Sequence, residues 1–179
     1  EGKCPVVRRE PSGAVRPLFE ARCERSFLAV GRPPPLAAAI ACLHRTPERC
    51  LLREPSAEHL ILTAFDARTG ERVGAPLDTG APASQSTEWA ISPDDRELAV
   101  TGTGARITLV PLSGHGAPTV LDSGLQNAQY PAWTPSGAAV ILAGMGFENR
   151  NYAMVRVDRS GRVTPLLSSD NAWISQPRT

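Results

Sequence analysis

Apolar residues in this chain come in short runs, and polar turn residues interrupt them at regular intervals. The clearest instance is Trp89-Ala90-Ile91-Ser92-Pro93-Asp94-Asp95-Arg96-Glu97-Leu98-Ala99-Val100, which reads as strand, tight turn, strand. Proline sets φ near the value that the first central position of a type I turn requires. The Asp or Ser that follows can bond its own backbone nearby. Trp133-Thr134-Pro135-Ser136-Gly137-Ala138-Ala139-Val140-Ile141-Leu142 repeats the pattern, and Trp173-Ile174-Ser175-Gln176-Pro177 begins it a third time.

The spacing is periodic. Pro93, Pro135 and Pro177 are 42 residues apart, while Trp89, Trp133 and Trp173 are 44 and 40 apart and read as one repeat position. Two unrelated hairpins would have no reason to keep such a period. Repeats of about 40–45 residues with four short strands are the sequence sign of β-propeller blades. A second repeat is longer in reach. Val7 to Leu18 aligns with Val155 to Leu166 at a constant offset of 148, with seven of twelve positions identical and Glu10 opposite Asp158.

These patterns predict an all-β chain, a partial β-propeller of about three four-stranded antiparallel blades with partial blades at both ends. Residues 1–19 read as the end of a preceding blade, 20–36 as an irregular connection, 37–80, 87–122 and 129–168 as blades, and 172–179 as the start of another. In the first blade the strands are expected at Ile40–His44, Cys50–Arg53, His59–Phe65 and Arg72–Leu77, with a polar link from Asp78 to Ser86. In the second, Arg106–Val110 and Pro118–Leu121 follow the Trp89 hairpin. In the third they fall near Tyr130–Trp133, Ala138–Leu142, Tyr152–Val157 and Arg162–Leu167. Pro33-Pro34-Pro35 cannot lie in a central strand, because proline donates nothing to the ladder. An extended connection fits them better than an SH3-type ligand. Ala37 to Ala41 has helix propensity but stands where a first strand belongs. Closed propellers have about four to eight blades, and open edges invite association. Further blades outside these residues, or assembly of copies, are therefore expected. The start in mid-element and the end in mid-repeat suggest a piece of a longer protein, and no signal peptide reads at Glu1.

Composition changes this picture little. The 17 prolines and 15 glycines, spread along 179 residues, suit many short strands joined by turns. The net charge of +1 supplies no field toward nucleic acid or membrane. Lys3 is the only lysine among 19 basic residues, but the arginines are scattered, as codon bias would scatter them, and form no nucleic-acid footprint. No apolar run approaches the roughly 20 residues that a membrane helix needs.

Four cysteines, Cys4, Cys23, Cys42 and Cys50, contain no C-x-x-C spacing and allow three full pairings. Cys42 and Cys50 flank a turn around Pro47. They either face each other as a disulfide, which implies an oxidising compartment, or are two small buried thiols.

The stretches from Trp89 to Ala99 and from Trp133 to Gly137 resemble the Trp-x-Ser-Pro-Asp-Gly-x-x-(Leu/Ile)-Ala core of TolB-like, WD40-like β-propeller repeats. Asp95 stands where glycine is usual and Ser136 where aspartate is usual. The segment from Cys42 to Glu54 is similar to propellers that follow a serine/threonine kinase or winged-helix domain in bacterial sensor proteins. The resemblance covers most of residues 4–177. It implies a non-catalytic interaction or sensor module of a larger signalling protein, extracytoplasmic and tethered by a span outside these residues. A free-standing TolB-like periplasmic scaffold and the gating propeller of a serine peptidase are the rivals.

Candidate chemistry is sparse. His44, His59 and His115 fit no metal-ligand spacing, and no hydrolase elbow, kinase signature or P-loop is present. No catalytic residue, metal ligand or cofactor is expected. Gly102-Thr103-Gly104 and Gly144-Met145-Gly146 read as hairpin-loop glycines used for positive φ. Asp94 is read as a turn residue. Trp89, Trp133 and Trp173 are either an aromatic rim for a ligand or, as repeat positions usually are, packing between blades. A partner, protein or small ligand, is expected at a loop face around the channel. The candidate loop carries Phe147, Glu148, Asn149 and Arg150.

Overall fold

The computed structural model describes residues 2–23, 40–54, 56–84, 87–102, 104–146 and 152–169. They form fourteen strands. β1 (Gly2–Arg9) and β2 (Val15–Cys23) make a hairpin. β3 (Ile40–Cys42), β4 (Arg49–Glu54), β5 (His59–Asp66) and β6 (Leu77–Pro82) form the first four-stranded sheet. β7 (Glu88–Ile91), β8 (Glu97–Thr101), β9 (Arg106–Pro111) and β10 (Thr119–Asp122) form the second. The third holds β11 (Leu125–Trp133), β12 (Ala139–Gly146), β13 (Tyr152–Asp158) and β14 (Val163–Ser169). In every sheet each strand pairs antiparallel with its sequence neighbour.

Burial explains why these sheets stack. Successive residues of a strand point to opposite faces. In β8, Leu98 and Val100 pack with Leu60, Leu62 and Ala64 of the first sheet. Ala99, between them, packs with Trp133, Val140 and Leu142 of the third. The second sheet is thus apolar on both faces and needs a neighbour on each. β4 behaves alike: Leu51 joins the core shared with the second sheet, while Cys50 and Leu52 join a core with the β1–β2 hairpin. There Phe19 meets Phe65 edge to face, centroids 5.1 Å apart, a favoured aromatic geometry. The outermost strands are less covered, leaving Val120 of β10 and Leu167 of β14 more than half exposed.

The proline turn is a compact unit. Asp95 N donates to Ser92 O, and Ser92 N donates to Glu97 O. The Ser92 hydroxyl accepts from the backbone NH groups of Arg96 and Glu97. Thr134 repeats the arrangement toward Gly137 and Ala139. Both turns need a left-handed residue in the same place, Asp95 at φ 58° and Gly137 at φ 69°. The offset of 148 also holds in three dimensions. β1–β2 and β13–β14 share register, with a bulge between Val6 and Val7 in one and between Met154 and Val155 in the other.

Several sequence expectations are corrected here. The fourth strand of the first sheet is β6, Leu77–Pro82, not Arg72–Leu77. The Arg72 backbone lies outside β6 and forms an isolated bridge to Phe65. β6 escapes notice because its inward residues, Thr79 and Ala81, are small, and the Thr79 hydroxyl is satisfied by Leu60 O. β3 ends at Cys42 rather than His44, since the His44 and Arg45 NH groups turn toward Asp95. Trp89 and Trp133 are not equivalent. Trp133 pairs with Val140 as Ile91 pairs with Leu98, so Trp133 takes the place of Ile91. Gly144 and Gly146 lie in β12, with no positive φ. Gly144 instead allows close approach, because a Cβ there would fall 2.1 Å from the Asn127 carbonyl oxygen of β11.

Gly144→Ala is expected to cost about 1–3 kcal/mol through backbone displacement. Gly102→Ala, whose Cβ would meet nothing closer than 3.7 Å, is expected to stay within about 0.5 kcal/mol. Urea unfolding midpoints of the two variants check this contrast, and equal midpoints would contradict it.

Candidate functional site at the junction of the first two sheets

The turns β3–β4, β7–β8 and β11–β12 emerge at one end of the sheets, together with β5–β6, β9–β10 and β13–β14. Within each sheet this follows from the meander, in which alternate connections share an end, and contacts of Asp95 with His44 and of Arg159 with Glu97 bring the three sheets' turns to the same end. At this end the first and second sheets are latched by one side chain. Asp95 Oδ1 accepts the His44 NH at 2.8 Å and Oδ2 accepts the Arg45 NH at 2.7 Å. His44 adds a contact of 3.3 Å from Nε2 to Ile91 O. A non-glycine residue at positive φ is strained. Here the strained residue supplies what glycine cannot, a carboxylate that satisfies two turn NH groups of the neighbouring sheet. The sequence signal was present as the departure from glycine at Asp95, but only the sheet-to-sheet geometry assigns it a role.

The same β3–β4 hairpin is closed by a disulfide between Cys42 and Cys50, directly opposed residues of the two strands. Cys4 is disulfide-bonded as well. Beside the latch lies an open cleft of about 480 Å³. Leu43, Leu51 and Leu112 give it an apolar lining, and Arg49 and Arg96 stand at its rim with Asp95. Arg49 and Arg96 are exposed.

The remaining candidate residues are placed as follows. Pro93 and Pro135 occupy the two turns. Asp94 accepts from the Ser92 hydroxyl at 2.7 Å and the Arg96 NH at 3.2 Å. These bonds hold its carboxyl below the ordinary aspartate value, the hydroxyl first. Asp66 and Asp158 lock the β5–β6 and β13–β14 turns in the same way, Asp66 chiefly through the Arg68 NH and Asp158 chiefly through the Ser160 hydroxyl. Trp133 is buried, donates from Nε1 to Ala90 O at 3.1 Å and carries the Arg159 guanidinium 5.3 Å above its ring, a cation–π distance. Arg159 also pairs with Glu97 of the second sheet. Trp89 packs into the core between the first two sheets. Packing between sheets, not a rim, is where both tryptophans stand. Trp173, Phe147, Glu148, Asn149 and Arg150 lie outside the described residues. Gly146 and Tyr152, which bound the candidate loop, are at the opposite end of the third sheet from the Asp95 latch. Among the described residues no group of three or more His, Cys, Asp or Glu could hold a metal ion.

At that opposite end, Glu88 of β7 accepts the Tyr130 NH of β11. Tyr130 sits at φ 54° within a bulge between Gln129 and Ala132. Burial raises the Glu88 carboxyl above its ordinary value, and the Tyr130 NH opposes that shift.

Among solved structures, the chain is similar to TolB from Acinetobacter baumannii, with a TM-score of 0.63 and 15% identity over 93% of this chain and 41% of that one. The fold is a β-propeller fold. A protein from Lactobacillus plantarum gives a TM-score of 0.55 and 16% identity over 93% of this chain and 48% of that one. A chain of a nidogen/laminin complex gives 0.51 and 18% over 71% and 46%. The chain thus spans less than half the length of each. No protein-family model and no curated protein matches the sequence.

Two outcomes follow from the interactions between sheets. Asp95→Ala should lower stability by about 1–2 kcal/mol, because two turn NH groups lose a charged acceptor. Asp95→Gly should lower it less, since glycine relieves the positive φ. Denaturant midpoints order the three proteins, and an Asp95→Ala protein as stable as the parent would contradict the latch. A carboxyl with a raised folded-state pKa binds its proton more readily in the folded chain. Its contribution is best below the unfolded pKa, and stability falls as pH rises from there through the folded pKa. Glu88→Gln should therefore flatten this part of the pH dependence. The parent–variant difference should favour the variant more at pH 7 than at pH 4, and a difference independent of pH would contradict it.

Proposed function

We propose that the chain serves as a non-catalytic interaction or sensor module of a larger bacterial signalling protein. The observation that carries this reading is the stack of four-stranded propeller-type sheets, whose shared turn end holds an open, basic-rimmed apolar cleft. A middle sheet packed on both faces makes a firm scaffold, and binding residues are disproportionately placed on loops that a rigid scaffold positions. The Cys42–Cys50 disulfide supports placement outside the reducing cytosol. The partner in this reading is a protein or small ligand rather than nucleic acid, and no cofactor is invoked. A free-standing scaffold is the second reading, favoured by the likeness to TolB over 93% of the chain.

Purification of the native full-length polypeptide from its own cells, after mild cross-linking, tests the proposal. A partner protein recovered in stoichiometric amount is expected, with Cys42 and Cys50 blocked to alkylation until reduced. A polypeptide that purifies alone and turns over a peptide or ester would contradict it. A full-length product consisting of propeller blades alone would favour the scaffold.

A further inference from the structure

We propose that the cleft between the first and second sheets receives an acidic peptide segment anchored by a large apolar side chain. The proposal rests on the interaction-module reading and adds a ligand class to it. Leu43 and Leu112 are only partly buried, so the cleft keeps accessible apolar surface beside the buried Leu51. A volume of about 480 Å³ suits a few side chains rather than a folded domain.

The charges on the rim are unequal in availability. The acid at the cleft, Asp95, has both oxygens engaged by the His44 and Arg45 NH groups. The Arg96 guanidinium makes only a loose contact, Nε to Asp94 Oδ2 at 3.8 Å, and its side chain is 79% exposed. Arg49 is exposed at the rim. Two guanidinium forks therefore flank an apolar floor, and arginine forks match carboxylates in two-point geometry. Carboxylates on either side of a Leu or Phe would meet Arg49 and Arg96 while the apolar group covers the leucines. Nucleic acid fits less well, because no aromatic ring lines the cleft for bases to stack on.

Fluorescence anisotropy with defined probes tests this. One fluorescein-labelled pool holds Leu, Phe or Ile at two central positions flanked by Asp or Glu. Its twin carries Lys or Arg at the acidic positions, and labelled oligo-dT provides a polyanion without apolar anchors. The acidic pool should bind at least about tenfold more tightly than its twin and than oligo-dT. The Arg49→Glu, Arg96→Glu double variant should lose about tenfold for the acidic pool and gain for the twin. Leu112→Asp should lose binding to the acidic pool as well. Both arginines are exposed, so an unchanged unfolding midpoint verifies that the charge-swapped protein folds. Equal affinity for the two pools, oligo-dT binding as tight as the acidic pool, or acidic-pool binding that survives the charge swap would each overturn the proposal. A native partner that still co-purifies with the charge-swapped protein would remove the cleft assignment and leave the interaction-module reading standing. Failure to recover any partner with the parent protein would instead remove that reading.

Discussion

Burial on both faces of the middle sheet is the constraint on which the rest of the structure depends. Leu98 and Val100 point to one neighbour and Ala99 to the other, so β8 cannot be covered by its own sheet. Each buried Leu or Val side chain contributes about 1.5–3 kcal/mol only when a neighbour removes it from water. Stability in such an array comes from interfaces between units as much as from the units. The polar contacts follow the same lines. Asp95 ties the second sheet to the first, and Trp133, Arg159 and Glu88 tie it to the third.

The local parts of this design were legible in the chain. A proline turn with Ser92 or Thr134 ahead of it is a short-range device, and its period of 42 residues carried directly into equivalent backbone hydrogen bonds. The repeat between residues 7–18 and 155–166 reappears in the structure as a shared hairpin register, although the bulge the two hairpins also share was not readable from the sequence. Non-local geometry was harder to read. Counting from tryptophan rather than from the turn proline equated Trp89 with Trp133, whereas the turn fixes register and sets Trp133 against Ile91. β6 hid behind Thr79, Gly80 and Ala81, because a strand of small residues carries no apolar alternation strong enough to see. Gly144 looked like a loop glycine because a close approach of two backbones leaves no trace in the sequence of either strand.

The candidate site shows the same division. Asp95 was visible as a departure from glycine, yet its partners, His44 and Arg45, are about fifty positions away in the chain. The cleft is lined by residues from three separate turns and strands, none unusual on its own. Its character arises from juxtaposition: Leu43 and Leu112 left partly covered between two sheets, an acid consumed by backbone NH groups, and two exposed arginines. A cleft of this kind is a by-product of stacking, so the inter-sheet geometry that holds the fold together also shapes the cleft.

The most direct measurement of that geometry is native-state hydrogen exchange on the parent protein and on Leu62→Ala. Leu62 is buried in β5 of the first sheet and packs against Leu98 and Val100 of the second. Its truncation leaves a cavity at their shared face, worth about 2–5 kcal/mol. If the sheets are stabilised through one another, the amides of β8 lose protection along with those of β5. Loss confined to the first sheet, with β8 unchanged, would contradict the account.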